Sequence, residues 1–475
     1  MTTLLADWID VDNRGNRLIS YFRTPSRTID ADQPPFLQSP LAQEALRIIR
    51  QLREAGFVAY LAGGCVRDAL LGKKPKDYDV ATDATPESVR DVFGKRQTLA
   101  FGASFGVIGV LPPKRDGVAG EADPLHRDTL SVEPTEVATF RSDGFYSDGR
   151  RPDSVHYGDA LHDAQRRDFT INGLFYDPHE ACVIDYVGGQ KDLEQGVLRT
   201  IGDPLQRFGE DKLRMLRAVR FATTLGFEIE SQTKAAILGH AQDISVVSGE
   251  RIGAEMRRIL VSPHAAEGIR HLIESRLSTV VLPEVGGKAE QVPDPRSEEP
   301  GAAVQALETR FARMIETPHA RRFPIALALL VSTTERPIAS LKAIARRWRL
   351  SNEEVRQANA ALKYQSTIQR SDQLPWSQVQ PILVDRDAEV IVSVAEAIAS
   401  ADGLPLAGIQ HSRERLDWPP EKLDPPPLVT GADLAELGIQ PGPAYREILQ
   451  QTRDQQLNGE LSSRAEAIEA IRGSC

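Results

Sequence analysis

The chain has 475 residues, is 41% apolar and 26% charged, and carries a formal net charge of −10, the composition of a globular protein of several domains. No apolar run is long enough to span a bilayer, the start MTTLLADWIDVDNRG lacks the basic and apolar segments of a secretory leader, and Cys65, Cys182 and Cys475 have no metal or disulfide spacing. The expectation is a cytoplasmic protein with no membrane partner and no obligate protein partner, and the acidic balance excludes a uniformly basic surface while allowing a local groove of Arg and Lys.

Residues 1–38 carry little periodicity and read as an N-terminal extension. Ser39 to Gly56 predicts an amphipathic helix with Leu41, Ala45, Ile48, Ile49 and Leu52 on one face. Phe57 to Ala62 predicts a short strand. Gly63 and Gly64 then allow a tight turn with no side chain in the way. Cys65 to Leu71 reads as the following helix, with Arg67 in its first turn and free amides suited to an anion. Cys65 reads as a small packing residue. In Asp-Tyr-Asp-Val, Asp77 and Asp79 are two apart, so on a strand both point to one side. A phosphate-binding turn beside a pair of carboxylates is what two-metal nucleotidyl transfer requires.

Val107 to Leu111 and Glu136 to Phe140 predict strands, and residues 112–132 between them a surface loop rich in Gly, Pro and charge. Two aspartates leave a metal pair short of protein oxygens. Glu136, on a neighbouring strand, is the candidate third carboxylate; the other reading is an exposed strand Glu. In RRDFTINGLFYD, Arg166 to Asp177, a positive pair beside Asp168 can hold a triphosphate and the attached sugar or base, although such a string also reads as a surface ion-pair network.

After Gly189 the pattern is helical. Asp203 to Leu225 predicts one helix, with Asp203 as N-cap, Pro204 in the first turn and Gly226 after it. On it, Asp211 and Arg214 are neighbours one turn apart, and Arg217 and Arg220 continue a basic stripe. Taken alone this is a salt-bridged helix. Beside a nucleotide site it can read a base, because cytosine and adenine both present an amine donor next to a ring-nitrogen acceptor. Asp211 would accept from the amine and Arg214 donate to the ring nitrogen. Guanine and uracil would leave both groups unpaired, at roughly 1–3 kcal/mol each. Further on, 288–302 and 417–427 read as linkers. The cluster Arg346-Arg347-Trp348-Arg349 reads either as a phosphate contact or as a helix end with Trp348 in the core.

Gly-Gly-x-x-Arg-Asp, Asp-x-Asp, Glu-Val-x-Thr-Phe-Arg, Arg-Arg-Asp-Phe-Thr and Glu-Asp-x-x-Arg-x-x-Arg-x-x-Arg occur in that order between Ser39 and Glu284. In this the chain resembles the bacterial (class II) CCA-adding tRNA nucleotidyltransferases and their relatives, the bacterial poly(A) polymerases. The resemblance implies an α+β fold: a small mixed α/β head over 39–189, a helical neck over 190–287, a helical body over 303–416 and a tail module over 428–475. It implies Mg2+ at Asp77 and Asp79, Glu136 as the third acid, CTP and ATP as substrates, and the tRNA 3′ end as acceptor. Gly63, Gly64, Arg67, Arg167 and Asp168 would bind the nucleotide, Asp211 and Arg214 the base, and Arg217 and Arg220 the phosphates. CC-only addition, A-only addition, poly(A) synthesis and a non-catalytic RNA-binding relative remain alternatives. Residues 140–151 match the family's flexible loop and Ser248 to Leu260 its neck element. No His-Asp pair marks a phosphohydrolase domain, and the glycine-rich tail implies two short helices for RNA.

Overall fold

The computed structural model describes residues 10–11, 17–18, 34–102, 106–113, 133–144, 154–286, 302–314 and 319–474. Most of the 1–38 extension, the 112–132 loop and the 288–302 linker, and more than half of the 140–151 loop, lie outside them.

Ser39 starts the first helix (α1, Pro40–Glu54) by accepting from the Ala42 amide, with Pro40 at the first position. Its buried face is Ala42, Ala45, Leu46, Ile48, Ile49 and Leu52. Leu41, expected on that face, is exposed, because the i, i+3, i+4, i+7 row starts at Ala42 and Leu41 lies one step off it.

The head then alternates: β1 (Ala59–Ala62), α2 (Gly64–Leu70), β2 (Asp79–Thr82), α3 (Pro86–Phe93), β3 (Thr98–Gly102), β4 (Val107–Val110), β5 (Thr135–Thr139), α4 (Ala160–Arg166), β6 (Leu174–Asp177) and β7 (Cys182–Asp185). The seven strands form one sheet in the order β7-β6-β1-β2-β5-β4-β3. Only β2 and β5 run parallel; the other neighbours are antiparallel. A parallel pair needs a long crossover, and residues 83–134 supply it. Ala62, Ala81, Ala160 and Ala164 are small enough to let the rings of Tyr60, Phe140 and Phe175 pack together beneath α4.

The expected helix from Asp203 to Leu225 is two helices, α5 (Pro204–Glu210) and α6 (Leu213–Leu225). Asp211 breaks it. Its backbone is extended (φ −142°, ψ 109°) and its Oδ1 accepts from the Leu213 amide at 3.0 Å. Asp competes well for such capping bonds and poorly for mid-helix positions. Asp203 caps α5 through the Leu205 amide, and Gly226, left-handed at φ 73°, ends α6.

The chain forms two compact units, Met1–Asp243 and Ile244–Cys475, so their boundary falls inside the segment expected as one neck. All described elements of the second unit are helical, and among the described residues no helix is long and apolar enough to cross a membrane. There α7 (Gly249–Leu260) meets the end of α8 (Pro337–Trp348) at two glycines. A Cβ on Gly249 or Gly253 would run into the carbonyl oxygens of Arg347 and Trp348. Trp348 is buried and donates from Nε1 to the Val281 carbonyl at 2.8 Å, while Arg347 forks onto Glu284. The basic cluster is therefore a helix end built around a core tryptophan. The segment expected as a linker, 417–427, is tied down: Trp418 packs on Trp376 at 5.5 Å, and Asp424 accepts from Gln380 and Arg453. The tail has three helices rather than two, Gly431–Glu436, Pro443–Leu457 and Arg464–Ser474, around Val429, Leu434, Ala467 and Ile471.

Candidate active site

Strand register assembles the acidic side of the site. In the antiparallel β1–β2 pair Asp79 lies opposite Ala62, the residue before the Gly63-Gly64 turn. In the parallel β2–β5 pair Val80 faces Val137 and Ala81 faces Ala138. One residue back, at the same end of both strands, Asp79 and Glu136 are neighbours. Asp77 lies just before β2, and the burial alternates: Tyr78 and Val80 are buried while Asp77 is exposed. Burial, then the charges of Asp77 and Glu136, push the Asp79 carboxyl up to about 7, against the pull of Arg167. Cys65, beneath this cluster, is 2% exposed, and burial pushes its thiol up to about 12, so it is an unreactive packing residue as expected.

The basic side is built on the glycine turn and on the two ends of the RRDFTIN segment. Gly63 has φ +70°, which favours glycine, and a Cβ there would stand 2.8 Å from Arg167 Nη1, so that guanidinium would have to shift. Arg67 lies in the last turn of the short α2 rather than the first; it donates to Asp68 and to Asn172 Oδ1 at 2.7 Å. Arg167 donates to Asp163 Oδ2 and to the Asn172 carbonyl oxygen. Arg166 takes the other oxygen of Asp163 at 2.7 Å. Asp168 is buried and accepts from Arg217 and Asn172. Burial pushes its carboxyl up, but Arg217, those hydrogen bonds and the charge of Arg214 outweigh it and hold it well below the usual carboxylate range. The Phe221 ring collects the guanidiniums of Arg67, Arg217 and Arg220, the last at 3.7 Å from the centroid.

The expected partnership of Asp211 with Arg214 is the point of departure. Arg214 is buried and donates to Glu210 Oε2 at 2.5 Å and to the Arg207 carbonyl, not to Asp211. The break at Asp211 swings its carboxylate onto the α6 amide and leaves Glu210, one turn earlier, facing Arg214. The other expected residues come together around the turn. Among the described residues no group of three or more His, Cys, Asp or Glu is drawn close enough to hold a metal ion.

Three families of known proteins match along the chain: the "Poly A polymerase head domain" over residues 59–199, the "Probable RNA and SrmB- binding site of polymerase A" over 226–286, and domain 2 of tRNA nucleotidyltransferases over 325–471. A curated CCA-adding enzyme of Geobacillus thermodenitrificans (strain NG80-2) is 34% identical over 442 residues, covering 92% of this chain and 96% of its own. The chain belongs to the CCA-adding enzyme family of tRNA nucleotidyltransferases. A solved member, the Bacillus stearothermophilus CCA-adding enzyme in complex with CTP, superposes with a TM-score of 0.71 at 30% identity, over 92% of this chain and 99% of its own. The Thermotoga maritima CCA-adding enzyme complexed with tRNA shares the fold at a TM-score of 0.61 and 20% identity, over 92% of this chain and 97% of its own.

Within this member of the family, three residues that shape the site escape a motif reading. Asp163 anchors both arginines of the RRD string; its i, i+3, i+4 spacing to Arg166 and Arg167 was the available signal. Asn172 touches both glycine-turn arginines, and only its polarity inside an apolar string hinted at that. Phe221 lies between the arginines of the stripe, where a core aromatic and an arginine platform have the same pattern.

Proposed function

We propose that this chain is a template-independent nucleotidyltransferase that adds C, C and A from CTP and ATP to the 3′ end of tRNA, acting in the cytoplasm. The observation that carries the reading is the strand register that sets Asp79 beside Glu136 and opposite the glycine turn, with Arg67 and Arg167 behind that turn. Asp77 and Asp79 fit magnesium: burial, then the charges of Asp77 and Glu136, lift Asp79 to about 7, and a cation would relieve that repulsion. Mg2+ commonly takes only one or two carboxylates and completes its shell with water and substrate phosphates, so Asp77 and Asp79 suffice. A bound pair would supply Lewis-acid assistance to the attacking 3′-hydroxyl and charge neutralisation on the triphosphate.

The chain's own residues hold and orient. The Gly63-Gly64 turn lets the triphosphate approach the backbone, and Arg67, Arg167, Arg217 and Arg220 grip it. Asp168 stays ionised to accept from the sugar. The 3′-hydroxyl gives up its proton to solvent as its oxygen bonds to the α-phosphorus, the α–β bridge breaks, and pyrophosphate leaves. Positioning and electrostatics supply most of the rate in such a transfer. Asp211 and Arg214 read the base edge; for this the entering base replaces the Leu213 amide on Asp211 and the Arg207 carbonyl on Arg214.

The test is incubation with Mg2+ and tRNA lacking its 3′ CCA, or ending in CC, supplied with CTP and ATP separately and together, followed by sequencing of the products. Addition of CC from CTP alone, of A to the CC end from ATP, and of CCA from both is expected. Homopolymer A tails, or no extension, would overturn the reading.

A further inference from the structure

Asn172 ends a turn of 3-10 helix (Thr170–Asn172) directly behind the glycine turn and is 8% exposed. Its four polar groups are all used, the backbone amide donating to the Phe169 carbonyl at 2.9 Å. Oδ1 accepts from Arg67 Nη1 at 2.7 Å, Nδ2 donates to Asp168 Oδ1 at 3.0 Å, and the backbone oxygen accepts from Arg167 Nη1 at 3.2 Å. The second oxygen of Asp168 accepts from Arg217 Nε at 2.9 Å. A chain of hydrogen bonds thus runs from Arg67 on α2 through Asn172 and Asp168 to Arg217 on α6.

The polarity of that chain is fixed at both ends. A guanidinium only donates and an ionised carboxylate only accepts. The group between Arg67 and Asp168 must therefore accept on one side and donate on the other, which an amide of this length does. Asp cannot donate when ionised, and would set two carboxylates against each other. Ala would leave Asp168 Oδ1 with the Phe169 amide alone and take the side-chain acceptor from Arg67 Nη1.

We infer that Asn172 is a positioning residue for the nucleotide, setting Arg67 and Arg217 in one register so that both meet the same triphosphate. The inference rests on the nucleotidyl-transfer reading above. It makes Asn172 a determinant of nucleotide affinity without contact between Asn172 and the nucleotide.

The experiment is a double-substitution cycle on the full-length protein, with ATP binding in the presence of Mg2+ read by calorimetry and turnover read with tRNA lacking its 3′ CCA. N172D is expected to raise the Kd and the KM for ATP at least tenfold and to change kcat much less. D168N alone weakens binding by loss of its own charge. In N172D/D168N the side-chain polarity is restored with the charges exchanged, at the expense of the bond that the Phe169 amide makes to Asp168 Oδ1 at 2.9 Å: the new carboxylate at 172 accepts from Arg67 and from the new amide at 168, whose oxygen accepts from Arg217. The double variant is expected to bind ATP no worse than D168N, and better than N172D. Independent multiplication of the two effects, or N172D within twofold of wild type, would overturn the inference. Melting curves accompany each variant. Should N172D fail to fold, N172A answers the same question: a raised Kd supports the inference and an unchanged Kd overturns it. Failure of the wild type to bind ATP at all would instead strike the functional reading on which this rests.

Discussion

The Asp79→Asn variant isolates the electrostatic tension in the acidic cluster. Asp79 titrates near 7 in the folded protein against an ordinary value of 3.8. The difference is about three units, or about 4 kcal/mol at 1.36 kcal/mol per unit. Between those values the unfolded chain has released the proton and the folded chain retains it, so stability falls as pH rises. The contribution is complete below pH 4 and lost as pH passes 7. In EDTA, D79N lacks this loss. Its stability relative to wild type is therefore expected to climb with pH and to level off near pH 8, about 4 kcal/mol above its value at pH 4. Urea unfolding by circular dichroism, which reports the head even though Trp348, Trp376 and Trp418 all lie in the second unit, measures the gap at each pH. Saturating Mg2+ is expected to shrink it, since the cation offsets the same repulsion in wild type. Parallel stability curves for the two proteins from pH 4.5 to 8 would refute the assignment of this tension to Asp79.

Other outcomes are expected. Asp77→Ala or Asp79→Ala abolishes Mg2+-dependent nucleotide incorporation with the circular dichroism spectrum unchanged; near wild-type incorporation by both would remove the two-metal reading. Asp211→Ala relaxes discrimination against UTP and GTP in an incorporation assay more than it lowers pyrophosphate release, and, by deleting the cap on the Leu213 amide, lowers stability by about 1 kcal/mol. Gly253→Ala, whose Cβ would strike the Trp348 carbonyl, lowers the melting temperature by several degrees while ATP affinity is retained, since the residues proposed to hold the nucleotide all lie in the first unit. A melting temperature equal to wild type would show that α7 and α8 can part there without loss.

Much of the candidate site was legible because the residues that compose it follow short-range patterns. The glycine pair, the alternation of Asp77 and Asp79, and the strand around Glu136 all follow from local spacing, and the structure adds only the register that joins them. What escaped was set by competition between equivalent local options. The run from Asp203 to Leu225 has continuous helical periodicity, yet Asp211 finds a better bond as a cap than inside a helix, and Arg214 therefore turns to Glu210. Leu41 and Ala42 are adjacent, and packing against the sheet, not hydrophobicity, chose the row beginning at Ala42. Asn172 could not be ranked by its own sequence, because its role comes from Arg67, more than a hundred residues earlier.

The arginines around the glycine turn come already engaged: Arg67 with Asp68, Arg166 and Arg167 with Asp163, Arg214 with Glu210, Arg217 with Asp168. On the proposed reading, a nucleotide entering here would exchange one anion for another instead of condensing onto bare positive charge. Tethered carboxylates are permanent competitors at high local concentration, so a free phosphate ion, with charge but no sugar or base, displaces them poorly, and inorganic phosphate is expected to inhibit only far above the KM for ATP. The same competitors work in the other direction after transfer. On the proposed reading, as the α–β bond breaks, carboxylates stand within a hydrogen bond's reach of Arg67, Arg167 and Arg217, and their return would speed the departure of pyrophosphate before the next nucleotide arrives.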